Sequence, residues 1–120
     1  MVFRKPRNLP VQPGSGGFDV LEYELRQEMA ATLARLGRRL DAALRELEAF
    51  DASRRDGRTP AAGDASEREA LVAAAGEALW YYVVQREVCG IGGTDAMLRE
   101  LRVSREVQLR MGFFPKDRGR

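Results

Sequence analysis

The stretch LEYELRQEMAATLARLGRRLDAALRELEAF, residues 21–50, decides the fold. Its apolar side chains recur at steps of three and four residues, which is the spacing of one face of an α-helix. They are Leu21, Leu25, Met29, Leu33, Leu36, Leu40, Ala43, Leu47 and Phe50. At about 100° per residue these positions form one stripe roughly 120° wide, and charged residues occupy most of the other surface. The pattern predicts a long amphipathic helix that must pack against a second long helix or another chain.

The residues on either side predict where this helix begins and ends. Residues 1–17 contain three prolines and three glycines, which indicates a disordered, basic lead-in. Asp19, followed three residues later by Glu22, forms a capping-box pattern and predicts the helix start. Asp-Gly, Thr-Pro and Gly-Asp dipeptides interrupt residues 51–65. This segment is therefore predicted to be a flexible linker, long enough for an antiparallel hairpin.

A second helix is predicted from Ser66 to about Cys89. Ser66 and Glu69 form another capping box, and Gly90 is the natural C-terminal stop. The apolar residues of this helix lie on two sides, so we expect a buried, central helix. One side carries Leu71, Ala75, Ala78, Leu79, Tyr82 and Cys89, and the other carries Trp80, Tyr81, Val84 and Val88.

Two short helices are predicted to complete the chain. Thr94 or Asp95 caps the first, which runs to about Leu101, and Ser104 caps the second, which ends at residues 111–112. No period-2 alternation of strand type is present. We expect an all-α fold, a small helical bundle forming a single domain over residues 18–114, with a frayed basic tail at 115–120.

The charge distribution weakens a nucleic-acid interpretation. The chain has a net charge of +2 and a pI near 9.0. Residues 1–17 carry three basic side chains and no acid, and residues 115–120 carry a net +2, which leaves the body at about −3. The body therefore lacks the basic surface that phosphate binding requires.

The chain lacks the residues that several types of catalytic or metal site require. The chain has no histidine and one cysteine, Cys89. A structural zinc site needs four Cys or His ligands, and a Ser-His-Asp or Cys-His centre needs an imidazole base. We therefore expect a non-enzymatic protein with no metal and no cofactor. No apolar run approaches the roughly 20 residues of a membrane span, and no secretory signal is recognisable, so a cytoplasmic location is expected.

Residues 80–87, WYYVVQRE, are the most informative stretch for a binding site. Gln85 and Arg86 lie on or beside the apolar face of the second helix, and a buried arginine needs a partner. One interpretation is a salt bridge to a residue distant in sequence that locks helices together. The other is a polar floor to a small pocket lined by Trp80 or Tyr82, in which Arg86 anchors an acidic ligand. Cys89 is expected to be an inert core residue.

Residues 98–107, LRELRVSREV, resemble the turn of a helix-turn-helix DNA reader. Such a motif over residues 94–112 would direct Arg105, Glu106 and Arg110 toward bases or phosphates. Three positions depart from the pattern. Arg102 stands where the turn needs φ > 0 and glycine is usual, Leu98 replaces a small residue, and Gln108 replaces an aliphatic one.

A protein–protein interaction module is the leading functional hypothesis, and DNA binding is the alternative. The long helix and the absence of a reactive constellation favour the first. A coiled-coil-like homodimer seam over residues 21–50 is one form that the interaction could take, although packing on the second helix would use the same stripe.

The chain resembles a family of small bacterial proteins known only as a domain of unknown function. The resemblance rests on residues 17–24 (GFDVLEYE), 78–90 (ALWYYVVQREVCG), 105–107 (REV) and 110–112 (RMG). It covers most of the chain outside the 51–65 linker. It implies a single cytoplasmic domain, and it assigns no activity, ligand, partner or functional residue.

Overall fold

The computed structural model describes residues 13–57 and 59–112. Four helices and no strand are present in these ranges. They are α1 (Pro13–Arg55), α2 (Asp64–Val88), α3 (Thr94–Glu100) and α4 (Arg105–Arg110). The prediction of an all-α fold with a long first helix, a central second helix and a short C-terminal pair is confirmed. The predictions for residues 1–12 and for the basic tail at 115–120 lie outside the described residues.

The helix α1 starts earlier than its sequence pattern indicated. It begins at Pro13 and runs for 43 residues, so Asp19 lies inside it and the predicted capping box is wrong. Proline is well suited to the first helical position, because its φ is already helical and that position needs no N–H donor. Gly16 and Gly17 are accommodated within the helix.

The connection between α1 and α2 is shorter than predicted. Helix α1 continues to Arg55, and α2 begins at Asp64 rather than at Ser66. Gly63 precedes α2 with φ +90°, and the Asp64 carboxylate accepts a 2.9 Å hydrogen bond from the backbone N–H of Ala61. This bond closes the turn, so the start of α2 is fixed by Asp64 and not by the second capping box.

Two compact units divide the chain, Met1–Thr32 and Leu33–Arg120. In the first, the described residues are those of α1 up to Thr32. In the second, the end of α1 is joined by α2, α3 and α4. The single-domain prediction for 18–114 stays a prediction.

The hydrophobic core lies in the second unit and α2 supplies half of it. Its side chains are Leu40 and Leu47 of α1, then Val72, Ala75, Ala78, Leu79 and Val83 of α2, and finally Met97, Val103 and Val107. Leu40, Leu79, Val72 and Val107 are the largest fully buried side chains. Helix α2 is therefore central, as the sequence predicted. On the second predicted apolar side, however, Tyr81 and Val88 are exposed.

Helix α4 crosses α2 closely at Gly76. A Cβ atom at Gly76 would lie 2.7 Å from the Cβ of Arg110 and 3.0 Å from its backbone carbonyl carbon. Only a residue without a side chain allows this approach. The crossing positions α4 and the turn before it.

Two helix ends share one type of turn. After α2, Gly90 (φ +77°) donates to the carbonyl of Glu87, and Ile91 donates to that of Arg86. After α3, Arg102 (φ +56°) and Val103 repeat this pattern with Arg99 and Leu98. Both are Schellman motifs. The predicted stop at Gly90 is confirmed, and the α3–α4 turn adopts the positive φ although an arginine stands there.

The predicted cap of α4 is also confirmed. The Ser104 hydroxyl accepts a 3.2 Å hydrogen bond from the backbone N–H of Val107. Helix α3 differs in detail, because Gly93 precedes its first residue, Thr94, and no side-chain cap is formed.

Candidate functional site

Arg86, the centre of the predicted polar floor, forms a hydrogen bond just beyond the C-terminal end of its own helix, α2. Its Nη2 donates a 2.7 Å hydrogen bond to the backbone carbonyl of Gly92, and its guanidinium lies 5.7 Å from the centre of the Tyr82 ring. Its acceptor is therefore six residues away, and Arg86 forms no salt bridge with another described residue. A cation at this position also stabilises the C-terminal end of α2, where the helix dipole is negative.

The other residues of this predicted floor have separate surroundings. Tyr82 packs against the core beside Gly37, and Gln85 Nε2 lies 3.8 Å from Cys89 Sγ. Trp80 is partly exposed and lies near Gly112. Arg86 Nε is buried and has no hydrogen-bond partner among the described residues. The pocket formed by these four residues stays a prediction.

Arg68 forms the ion cluster that joins three helices, a role the sequence had suggested for Arg86. Its Nε and Nη2 donate to the two oxygens of Asp51 in α1, at 2.8 and 3.1 Å. Its Nη1 and Nη2 donate to Glu106 in α4, at 2.8 and 3.1 Å. The fork of the guanidinium thus serves two carboxylates at once, as its planar donor geometry permits.

The charges of this cluster depend on Arg68. The hydrogen bond from Arg68 holds the pKa of the Asp51 carboxyl below its ordinary value, and partial burial opposes this effect. The pKa of Glu106 is lowered in the same way, also chiefly by the hydrogen bond from Arg68. In return, the two carboxylates raise the pKa of Arg68. All three groups are charged at neutral pH.

Two of the three predicted nucleic-acid contacts are engaged in ion pairs with α2. Glu106 pairs with Arg68, and Arg110 pairs with Glu69. Arg105 is exposed on the first turn of α4. Helix α4 has 6 residues. DNA binding through residues 94–112 stays a prediction, but two of its contacts would have to leave α2 to reach DNA.

A groove of about 670 Å³ lies in the second unit. It is lined by residues of α1 between Asp41 and Ala52, by Arg68, and by Leu101, Arg102, Ser104, Glu106 and Val107 of the C-terminal pair. The Arg68 cluster forms part of its wall. Neither Trp80 nor Arg86 lines this groove.

A second feature is the row of exposed side chains on α1 in the first unit. Phe18, Leu21 and Leu25 are 67%, 66% and 59% exposed. Helical spacing places them on the same stripe as Leu40 and Leu47, which are buried in the core of the second unit. We call these three residues the N-terminal apolar face.

One family model matches residues 9–118, and its description is "Family of unknown function (DUF6665)". The chain belongs to this family. The match covers most of the chain and bears out the resemblance drawn from residues 17–24, 78–90, 105–107 and 110–112. Searches of curated proteins and of solved structures find no match.

The description of the DUF6665 family names no activity or ligand, so a proposal about function has to rest on the described residues of this chain. Within these residues, no group of three or more Cys, Asp or Glu side chains is arranged to hold a metal ion. None of the described helices is both long and apolar enough to cross a bilayer. Among the described residues, the groove and the N-terminal apolar face are the two surfaces considered below for binding another molecule.

The sequence did not reveal the Arg68 cluster. Arg68 and Asp51 are 17 positions apart, and Arg68 and Glu106 are 38 apart. Asp51 also falls within the predicted 51–65 linker. The one available signal was the acid at Glu106, in the first turn of a short helix, which was interpreted as a nucleic-acid contact.

The Arg68 cluster predicts a loss of stability in acid. Because the pKa values of Asp51 and Glu106 are lower in the folded chain than in the unfolded one, their contribution is complete above the ordinary carboxyl values. It falls as the pH drops below about 4.5 and protons bind the two groups. We expect Arg68→Gln to reduce the free energy of unfolding by about 1 kcal/mol at pH 7, after allowance for partial exposure.

Urea unfolding at pH 7 and pH 3 tests this prediction. The Arg68→Gln chain should lose less stability on acidification than the wild type. Arg26→Gln is the matched control, because the pair of Arg26 with Glu22 is exposed and lies in the first unit, and it should behave as the wild type. An Arg68→Gln chain as sensitive to acid as the wild type would contradict the assignment.

Proposed function

We propose that this chain is a non-enzymatic interaction module that binds an amphipathic helix of another protein on its N-terminal apolar face. The observation that carries the proposal is the exposure of Phe18, Leu21 and Leu25 in one row. A row of large apolar side chains on one helix face is the usual surface for helix-in-groove or helix-pair recognition. The lack of histidine and the single cysteine support a role without catalysis.

The charges around this face indicate the chemistry of the partner. Residues 16–32 contain four acids, Asp19, Glu22, Glu24 and Glu28, and one base, Arg26. Arg26 is already paired with Glu22 at 2.8 Å. A partner helix with lysine or arginine beside its apolar stripe would complement this charge, since opposite charges flanking a helix pair set partner choice.

The same charges disfavour a second copy of this chain as the partner. Two 16–32 segments side by side would each bring a net charge of −3. The full seam over residues 21–50 is also not available, because Leu40 and Leu47 are buried in the chain's own core. A homodimer stays a prediction that the experiment below can detect.

Binding of designed peptides tests the proposal. The probe is a fluorescent 18-residue helix with a leucine stripe flanked by lysine and arginine, and its counterpart has glutamate at the flanks. We expect the full chain to bind the basic peptide and not the acidic one, and binding should weaken with salt. The double variant Leu21→Ser with Leu25→Ser should lose at least tenfold in affinity, equivalent to about 1.4 kcal/mol.

Leu109→Ser is the matched control, because Leu109 is exposed to a similar degree on α4. It should bind as the wild type does. Equal binding of the basic peptide by the double variant, or no binding by the wild type, would refute the proposal. A further result to test for is sedimentation of the chain alone as a dimer that the double variant Leu21→Ser with Leu25→Ser converts to a monomer. That result would refute the proposal and would identify the partner as a second copy of this chain.

A further inference from the structure

The groove in the second unit has the volume and the apolar lining of a small-molecule site. Its volume of about 670 Å³ falls within the range of about 300–1,000 Å³ that ligand pockets occupy. Leu44, Leu47, Leu101 and Val107 give it an apolar lining. Leu47 and Val107 are buried, whereas Leu101 is 40% exposed at this surface. An apolar body in the groove would remove Leu101 from water.

The carboxylates that line the groove already have partners. Asp41 pairs with Arg45 at 2.9 Å, and Glu48 pairs with Arg55 at 2.9 Å. Asp51 and Glu106 both pair with Arg68. Because one arginine serves two carboxylates, that cluster keeps a residual negative charge and is unsuited to an anion.

Arg102 is different from the other two arginines of the lining. Arg45 and Arg68 each hold a carboxylate, but Arg102 forms no ion pair with any residue in ranges 13–57 and 59–112. Arg102 also has φ +56°, where a glycine would fit without steric cost. This φ belongs to the Schellman turn that ends α3. The charged side chain of the lining that has no ion pair with a described residue is therefore a cation, Arg102.

We propose that this groove binds a small amphipathic carboxylate. Arg102 holds the carboxylate head by charge-assisted hydrogen bonds, and the leucine lining covers the apolar body. The head lies at Arg102 and not at Arg68, whose donors are occupied by Asp51 and Glu106. The proposal concerns the second unit alone and does not depend on the N-terminal apolar face.

Titration of the full chain with three probes of equal chain length tests this assignment. The probes are octanoate, octanol and octylamine, followed by amide chemical shifts in ¹H–¹⁵N spectra. We expect octanoate to shift the amide resonances of the groove residues and to bind with the highest affinity of the three probes. Octanol should bind at least fivefold more weakly, because it lacks the charge that Arg102 recognises.

Arg102→Gln is the informative variant, and Arg99→Gln is its control. Glutamine keeps the backbone requirement of position 102 and removes the charge, so thermal unfolding should match the wild type closely. Arg102→Gln should weaken octanoate at least fivefold and leave octanol unchanged, whereas Arg99→Gln, which does not line this groove, should change neither. Tighter binding of octylamine, equal octanoate binding by Arg102→Gln, or no binding of octanoate would each overturn the proposal.

Discussion

Replacing Gly76 by alanine is expected to lower the free energy of unfolding by about 2–3 kcal/mol, the upper range for overpacking. The new methyl group would lie 2.7 Å from the Cβ of Arg110 and 3.0 Å from its backbone carbonyl carbon and oxygen. These atoms belong to the backbone end of α4, which cannot rotate aside as a side chain could. Helix α4 would have to move away from α2, and the Arg68–Glu106 contact would be weakened with it.

Gly37→Ala provides the matched control for this prediction. It is also a helical glycine, but its Cβ would lie 3.2 Å from the Tyr82 ring, which is a side chain that can shift. Alanine also favours the helix over glycine by about 1 kcal/mol. We expect Gly37→Ala to stay within about 1 kcal/mol of the wild type. Equal stability of the two variants in urea unfolding would show that α4 does not lie against Gly76.

A second pair of variants tests where the stripe of α1 is buried. Leu40 is fully buried, so Leu40→Ala should cost about 3 kcal/mol through lost burial and the cavity that remains. Leu25 lies on the same stripe but is 59% exposed, so Leu25→Ala should change stability by less than about 0.5 kcal/mol. Thermal and urea unfolding followed by circular dichroism measure both.

The expected results of this pair separate stability from function. Leu25→Ala should leave the fold intact and weaken binding of the basic probe helix, whereas Leu40→Ala should unfold at lower temperature. If Leu25→Ala destabilised the chain as much as Leu40→Ala did, the N-terminal apolar face would be part of a core.

The helices could be predicted because their signal is periodic and long. The stripe from Leu21 to Phe50 repeats over many turns, and a chance match of that length is rare. Gly90 and Ser104 could be predicted for a related reason, since each meets a local requirement of the backbone. At Gly90 the requirement is a positive φ, and at Ser104 it is a side-chain acceptor for a free N–H.

The starts of α1 and α2 could not be predicted from the same kind of rule. The pairs Asp19–Glu22 and Ser66–Glu69 match a capping box, but such a four-residue pattern recurs by chance within helices. Pro13 and Asp64 are the true first residues. Propensity rules interpreted Pro13 as a breaker, although proline is favoured at that one helical position.

The candidate sites depended on contacts that the sequence does not encode locally. Whether Leu25 is covered depends on what else packs near α1, and the apolar pattern is the same at Leu25 and Leu40. One interpretation of Arg86 is an inter-helix ion pair, because it lies beside an apolar face, yet its Nη2 donates to a carbonyl six residues away. The inter-helix ion pairs are formed by Arg68 instead. Its partners lie on α1 and α4, so this cluster can be recognised only when the positions of three helices are known.

Amide hydrogen exchange along α1 tests the central claim most directly. For the chain alone in dilute solution, we expect strong protection of residues 40–50, which include the buried Leu40 and Leu47, and much weaker protection of residues 18–28, whose side chains are exposed. The basic probe helix should then increase protection at 18–28. Equal, strong protection of both stretches in the chain alone would mean that the N-terminal apolar face is already covered, and would contradict its role as a docking surface.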